Sequence, residues 1–308
     1  MKFKNTVLAT LVLLGLATGV YAADNTEFIR FKEATEANSG GLEIAVTDYV
    51  SSGTTVTLYG VVHVADPEYY KKVQEDLDKF DVVLYEGVKT GSTVNQETKV
   101  LNLLQKLMGS VLNLKFQKDS IDYKRKNLVH ADITMDELQK SLKGEHLTPL
   151  GQYVNTEQLE GILDQAGPFL DGAGEFLQKF LKDVPQVQKF QNGLKSQLAQ
   201  QLANADISEQ MSADMRKAIV LDRNKIVIDT FLDYSKKNPD KKTYAVFYGA
   251  AHMPDLEARL KTLGFEKKSK RWMAAWKVSE VKPDEDDEDA TPPAPRKEKE
   301  PQDRQEDK

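Results

Sequence analysis

The chain has 308 residues, 29% charged and 40% hydrophobic, a formal net charge of -6 and no cysteine. That length suits one large domain, or a domain with an insertion, able to hold itself by its core alone; the missing cysteine excludes disulfides, thiolate chemistry and a lipid-modified N-terminal cysteine. The acidity is local, because residues 280–308 hold 12 acidic and 6 basic residues and the remainder holds 36 of each sign, so no basic surface for nucleic acid is expected.

The N-terminus reads as a secretory signal. Lys2 and Lys4 form its charged region, Val7 to Leu16 its apolar stretch, and Val20-Tyr21-Ala22 a small-residue cleavage site after Ala22. The apolar stretch is short for a bilayer span of ~20 residues, so no stable membrane span is expected after cleavage. A periplasmic or secreted location follows from this reading. Residues 23–279 are then the domain, and residues 280–308, rich in Asp, Glu, Pro and Lys, are expected to be a disordered tail because they cannot bury enough apolar surface to order.

Leu42 to Val50 and Thr54 to Val62 are β-rich runs around Ser51-Ser52-Gly53, the pattern of a hairpin. The second run ends in Tyr59-Gly60-Val61-Val62-His63. A helix is expected over residues 66–79, with Asp66 as N-cap and Pro67 at its first position. Asp81-Val82-Val83-Leu84-Tyr85 is a short strand entering Glu86-Gly87. A crossover of this kind returns both strand ends to one edge of the sheet, which would make His63 and Glu86 neighbours.

The middle of the chain is helix-rich. Residues 98–205 read as a helical insertion, interrupted by the short strand candidate Asn127-Leu128-Val129-His130 and by a capped helix start at Thr134 with Glu137. His130 and the nearby Asp132 would reach the same edge if that strand joins in parallel. His146 reads as an exposed loop residue. Residues 211–234 form one amphipathic helix, on which Arg216 and Arg223 are seven residues apart, about two turns, and so share a face. An arginine turned into the site could bind a substrate carboxylate or stabilise an oxyanion. Trp272 and Trp276 are expected to pack in the core.

The first pattern then recurs. Thr243 to Phe247 is a strand, Tyr248-Gly249-Ala250-Ala251-His252 repeats the Tyr-Gly-x-x-His string, and a helix over residues 255–263 ends at Gly264 before a returning strand over residues 271–278. The chain has only four histidines, and two of them end this repeated string. The expected fold is therefore α/β, a mixed sheet flanked by helices, with an internally duplicated strand-GxxH-helix-strand unit. Strand ends that lead into helices are where open α/β sheets place chemistry. Two imidazoles with Glu86 could hold a divalent first-row metal and leave positions open for water and substrate. A metal-free site, with one histidine as general base and Glu86 orienting it, uses the same residues.

The motifs Gly60-Val61-Val62-His63 and Gly249-Ala250-Ala251-His252, the strand ending in Glu86, the Asp222-Arg223-Asn224-Lys225 helix segment and the Glu257 to Phe265 helix ending together resemble the TraB/PrgY/GumN family. That family includes the TIKI proteases and is grouped with erythromycin-esterase-like and ChaN-like proteins. The resemblance implies a metal-dependent hydrolase fold, with peptidase activity as in the TIKI branch and manganese or cobalt support; zinc is a further option at His63, Glu86 and His252, with Arg223 beside them. It departs at the acidic motif, where Glu86-Gly87-Val88 stands in place of the Glu-Leu of many relatives. A peptide or small-molecule substrate is expected. The rival is a binding protein that sequesters a peptide or envelope ligand on the same surface, and an esterase activity is a third alternative.

Overall fold

The computed structural model describes residues 27–35, 37–89, 105–106, 108–145, 172, 179–180, 184–205 and 211–279. The expected signal segment, the acidic tail, His146 and, within the expected helical insertion, residues 98–104, 107, 146–171, 173–178 and 181–183 lie outside the described residues. Among the described residues no helix is long and apolar enough to cross a membrane.

The strands are β1 (Ile29–Lys32), β2 (Gly40–Ser51), β3 (Thr54–Val61), β4 (Val64–Ala65), β5 (Val82–Tyr85), β6 (Lys115–Phe116), β7 (Leu128–His130), β8 (Thr243–Gly249) and β9 (Glu266–Val278). The helices are α1 (Pro67–Leu77), α2 (Gln117–Ser120), α3 (Met135–Leu142) and α4 (Pro185–Asn204). A long helix, α5, joins Ala213–Arg216, a π-helical stretch Lys217–Leu221 and Asp222–Lys237, and α6 (Met253–Thr262) follows a 3-10 turn at Ala250–His252.

The main sheet is mixed, as expected. β3, β8, β5 and β7 run parallel in that order, while β2 pairs antiparallel with β1 and β3 along one edge and with β9 along the other. The hairpin between β2 and β3 turns at Ser52 and Gly53, both with positive φ, the backbone a two-residue turn requires. β8 is central and apolar on both sides. Tyr244, Val246 and Tyr248 point to the face covered by α5 and α6, where Val227, Phe231, Leu256 and Leu260 pack, and Ala245 and Phe247 point to the face covered by α1 and α4. A fully buried leucine such as Leu256 or Leu260 contributes ~1.5–3 kcal/mol relative to an exposed one, so these two stripes hold the helices in place.

Several local expectations hold. Thr134 and Glu137 form a reciprocal capping box at the start of α3. Gly264, at φ +81, ends α6 in a Schellman arrangement, in which Phe265 N–H bonds Leu260 O and Gly264 N–H bonds Lys261 O, both at 3.0 Å. Other details differ. Asp66 is the N-cap residue of α1 and Pro67 its first position, as expected, but the Asp66 side chain makes no capping bond; its carboxylate accepts Lys195 Nζ and the Lys277 N–H, each at 2.6 Å, and so ties α4 and β9 to the first helix. The second unit does not copy the first: β5 returns parallel to β3 with β8 between them, whereas β9 does not return parallel to β8. It starts at Glu266, crosses to the far side and pairs antiparallel with β2 over nearly its whole length. A bulge in that pairing, between Leu42 and Glu43 of β2, switches the face of the strand. Trp276 is therefore fully buried against α1 and α4, whereas Trp272 lies on the other face, half-buried beneath the Arg30 guanidinium 4.1 Å above its ring.

Candidate functional site

The C-terminal ends of β3, β8, β5 and β7 lie side by side and carry the candidate residues. Val61 of β3 pairs with Gly249 of β8, Tyr85 of β5 pairs with Phe247 of β8, and His130 of β7 pairs with Tyr85. His63 follows β3, Glu86 follows β5 and His252 follows β8. The unit that was expected to bring His63 beside Glu86 brackets β8 instead, so the second histidine enters between them.

Glu86 is the fixed point. Its N–H donates to Phe247 O at 3.0 Å and so extends the sheet by one residue. Its Oε2 accepts the Gly249 N–H at 2.6 Å and its Oε1 accepts Arg223 Nη2 at 2.7 Å. A Cβ at 249 would stand 3.3 Å from Glu86 Oε2 and 3.6 Å from the His252 ring, so glycine leaves room for the carboxylate's close approach to this backbone. Arg223 is 6% exposed. Besides Glu86 it grips Asp132, through Nε to Oδ1 at 2.9 Å and Nη2 to Oδ2 at 2.6 Å, and its Nη1 reaches Ile219 O at 3.4 Å. Asp132 also accepts the N–H groups of Ile133 at 2.8 Å and Gly87 at 2.9 Å. Two carboxylates against one guanidinium leave a surplus negative charge in a buried place.

Burial pushes the Glu86 carboxyl up, but Arg223, the two histidines and the Gly249 N–H outweigh it and hold the group well below the usual carboxylate range. Burial also works against the Arg223 charge; Glu86 and Asp132 overcome it and raise its pKa above the ordinary value.

His252 is buried and locked. Asn224 Nδ2 donates to His252 O at 3.1 Å and to Asp255 Oδ2 at 2.8 Å. Both partners only accept, which fixes the amide so that Asn224 Oδ1 faces His252 Nδ1 at 2.7 Å. Nδ1 therefore carries the proton. Asp255 is itself held by Arg259 Nε at 2.6 Å, and Tyr248 packs edge-on against the ring with centroids 5.2 Å apart. Burial lowers the His252 pKa to about 4 against the opposing pull of Glu86, so the ring is neutral near pH 7. Its bare Nε2 then faces Glu86 Oε1 at 3.7 Å. An imidazole lone pair and an ionised carboxylate oxygen look at each other with no proton between them.

His63 is exposed, at the open side of this edge. Its backbone oxygen accepts the Gln117 N–H at 2.8 Å. His130 reaches the same edge, since β7 is parallel to β5, but its Nε2 donates to Gly87 O at 2.6 Å and its ring packs edge-on against Tyr85, so it braces the loop after Glu86. Asp132 braces it from behind through Gly87 and Arg223. Arg216 is not brought to the site. The π-helical stretch between it and Arg223 adds to the residues per turn, the two arginines lose their common face, and Arg216 is exposed. Arg223 is at the site but faces inward, behind Glu86.

Asn224 and Asp255 were given no role from the sequence. The available signal was the Arg223-Asn224 pair, since adjacent helix positions lie about 100° apart and one helix can then serve two neighbouring strand ends. Among the described residues no three His, Cys, Asp or Glu side chains stand at the spacing of a metal site. The donor chemistry still suits a divalent cation at two of the three expected positions, because both must be unprotonated to ligate and Glu86 and neutral His252 meet that condition with their other atoms held by hydrogen bonds. No family model, curated protein or solved structure matches the chain.

Proposed function

We propose that this strand edge is the centre of a metal-dependent hydrolase, with His252 and Glu86 as the resident pair and His63 as the third ligand from the solvent side. The single observation that supports it most is the His252–Glu86 pair: two acceptors facing at 3.7 Å beside a surplus negative charge, an arrangement a cation stabilises. The metal-free alternative is less well served by His252, whose pKa near 4 makes it a weak general base at neutral pH.

When bound, a divalent metal supplies Lewis acidity and a water acidic enough to yield a nucleophile near neutral pH. The rest belongs to the chain. Asn224 keeps the proton on Nδ1 of His252 and its Nε2 free. Arg223 and the Gly249 N–H hold one lone pair of each Glu86 oxygen, which fixes the carboxylate's direction. Arg223 is thus a positioning residue for Glu86, with Asp132 as its anchor. Substrate would enter where His63 meets solvent. That the substrate is a peptide, and that the chain is exported, rest on the likeness of the paired Gly-x-x-His motifs to the TraB/PrgY/GumN family and on the signal-like N-terminus.

Purified protein loaded with manganese, cobalt or zinc is incubated with a peptide mixture beside His63→Ala and His252→Ala. Cleavage that both variants lose supports the proposal. Saturable peptide binding with no product, equal in all three proteins, would instead favour a sequestering protein and sink the hydrolase.

A further inference from the structure

His252 owes its single protonation pattern to an amide side chain on a neighbouring element. His63 has no such partner from the second unit, but the small β4/β6 ladder supplies one. Its register pairs Val64 with Phe116 and Ala65 with Lys115, so the next pair outward is His63 with Gln117. The Gln117 N–H to His63 O bond at 2.8 Å continues the ladder to that pair. Residues directly opposite in an antiparallel ladder put their side chains on the same face, with Cβ atoms about 4.5–5.5 Å apart.

Gln117 is 6% exposed, unusual for a glutamine at the start of a short helix. Its Nε2 bonds the Tyr123 hydroxyl at 3.0 Å, and its Oε1 is buried with no hydrogen-bond partner among the described residues. A buried amide oxygen left unpaired costs about 1–3 kcal/mol, so its place needs a reason. Tyr123 in turn packs on Tyr85, with centroids 5.1 Å apart, immediately before Glu86, which fixes the amide from behind.

We infer that Gln117 is a positioning residue for His63, its Oε1 accepting the proton of one ring nitrogen so that the other is left bare for the centre, as Asn224 does for His252. The two histidines of the repeated motif would then be oriented alike, by amides from unrelated parts of the chain. The inference rests on the proposed centre for its purpose but not for its test.

The test is nitrogen-15 NMR of the metal-free protein with labelled histidine, in which four imidazoles give a countable spectrum and His63→Ala assigns the signal. The nitrogen shifts separate the two neutral forms of each ring. Wild-type His63 should show one form. Gln117→Leu, which keeps the shape and removes the acceptor, should show both in exchange, with His252 unchanged as an internal record of folding. Gln117→Glu restores an acceptor and should restore one form. A mixture in the wild type, or one unaltered form in Gln117→Leu, would overturn the inference whether or not the protein cleaves anything. If Gln117→Leu disturbs His252 as well, Gln117→Glu against the wild type decides, because an acceptor carboxylate opposite His63 must hold a single form of the ring, and a mixture overturns the inference.

Discussion

Replacing Arg223 with methionine removes the charge at the heart of the site and keeps most of the side chain's length. Four hydrogen bonds go with it, one to Glu86, two to Asp132 and one to Ile219 O. The side chains of Arg223, Glu86 and Asp132 are 7%, 13% and 0% exposed, so water cannot take over those contacts. Removing one partner of a buried ion pair costs about 3–5 kcal/mol, against about 0–1 kcal/mol for an exposed pair, and the geometry places this triad in the first class. The pH dependence separates electrostatics from mere packing. In the wild type Glu86 has a depressed pKa in the fold, so its stabilisation is present above the ordinary carboxylate pKa and is lost as the pH falls through the folded value. Without Arg223, burial dominates and the folded pKa rises above the unfolded one, so the strain is greatest at high pH and is relieved by protonation. Urea unfolding followed by circular dichroism should show the gap between the two proteins near its full size at about pH 8 and narrowing towards about pH 5. A gap below about 1 kcal/mol, or one that does not change with pH, would refute the reasoning.

Acid should also act through His252. Its folded pKa of about 4 against an ordinary 6.5 means the unfolded chain binds that proton first, so wild-type stability falls between those two pH values by about 3 kcal/mol, and His252→Gln should flatten that part of the curve. An identical slope in the variant would show that His252 is not the group responsible. Gly249→Ala sets a methyl group 3.3 Å from Glu86 Oε2 and should cost about 1–3 kcal/mol in unfolding measurements while displacing the carboxylate, seen as a weakened metal affinity. Wild-type stability in Gly249→Ala would mean the close approach is not constrained. Arg216→Ala, at an exposed position outside the site, should change stability by less than about 0.5 kcal/mol and leave any hydrolysis unaltered. A clear loss of turnover would return Arg216 to the site.

What could be read in advance was what neighbours in sequence decide. Ser52-Gly53 supplies its own turn, Thr134 and Glu137 cap one helix within four residues, and Gly264 stops another through its own backbone. The strand ends carrying His63, Glu86 and His252 were legible for the same reason, since each is a short apolar run with a break after it. Distant pairing was not legible. β9 resembles a returning strand, yet it pairs with β2 because the edge beside β8 is already occupied by β5. The seven-residue spacing of Arg216 and Arg223 assumed a regular helix, and the π-helical stretch between them removes the assumption. Asn224 and Gln117 act through contacts across 28 and 54 residues, to His252 and His63 respectively, distances over which spacing carries no signal; Asp132 was legible at the strand edge, but its pairing with Arg223, 91 residues away, was not.

Whether His63, Glu86 and His252 act as one metal centre is decided by a cobalt(II) titration. Bound to nitrogen and oxygen ligands, cobalt shows visible bands that free cobalt does not, and the titration counts the ions. Saturation is expected at one ion per chain, with the bands altered or lost in each of His63→Ala, Glu86→Gln and His252→Ala. No binding by the wild type, or the same spectrum in all three variants, would contradict a shared centre.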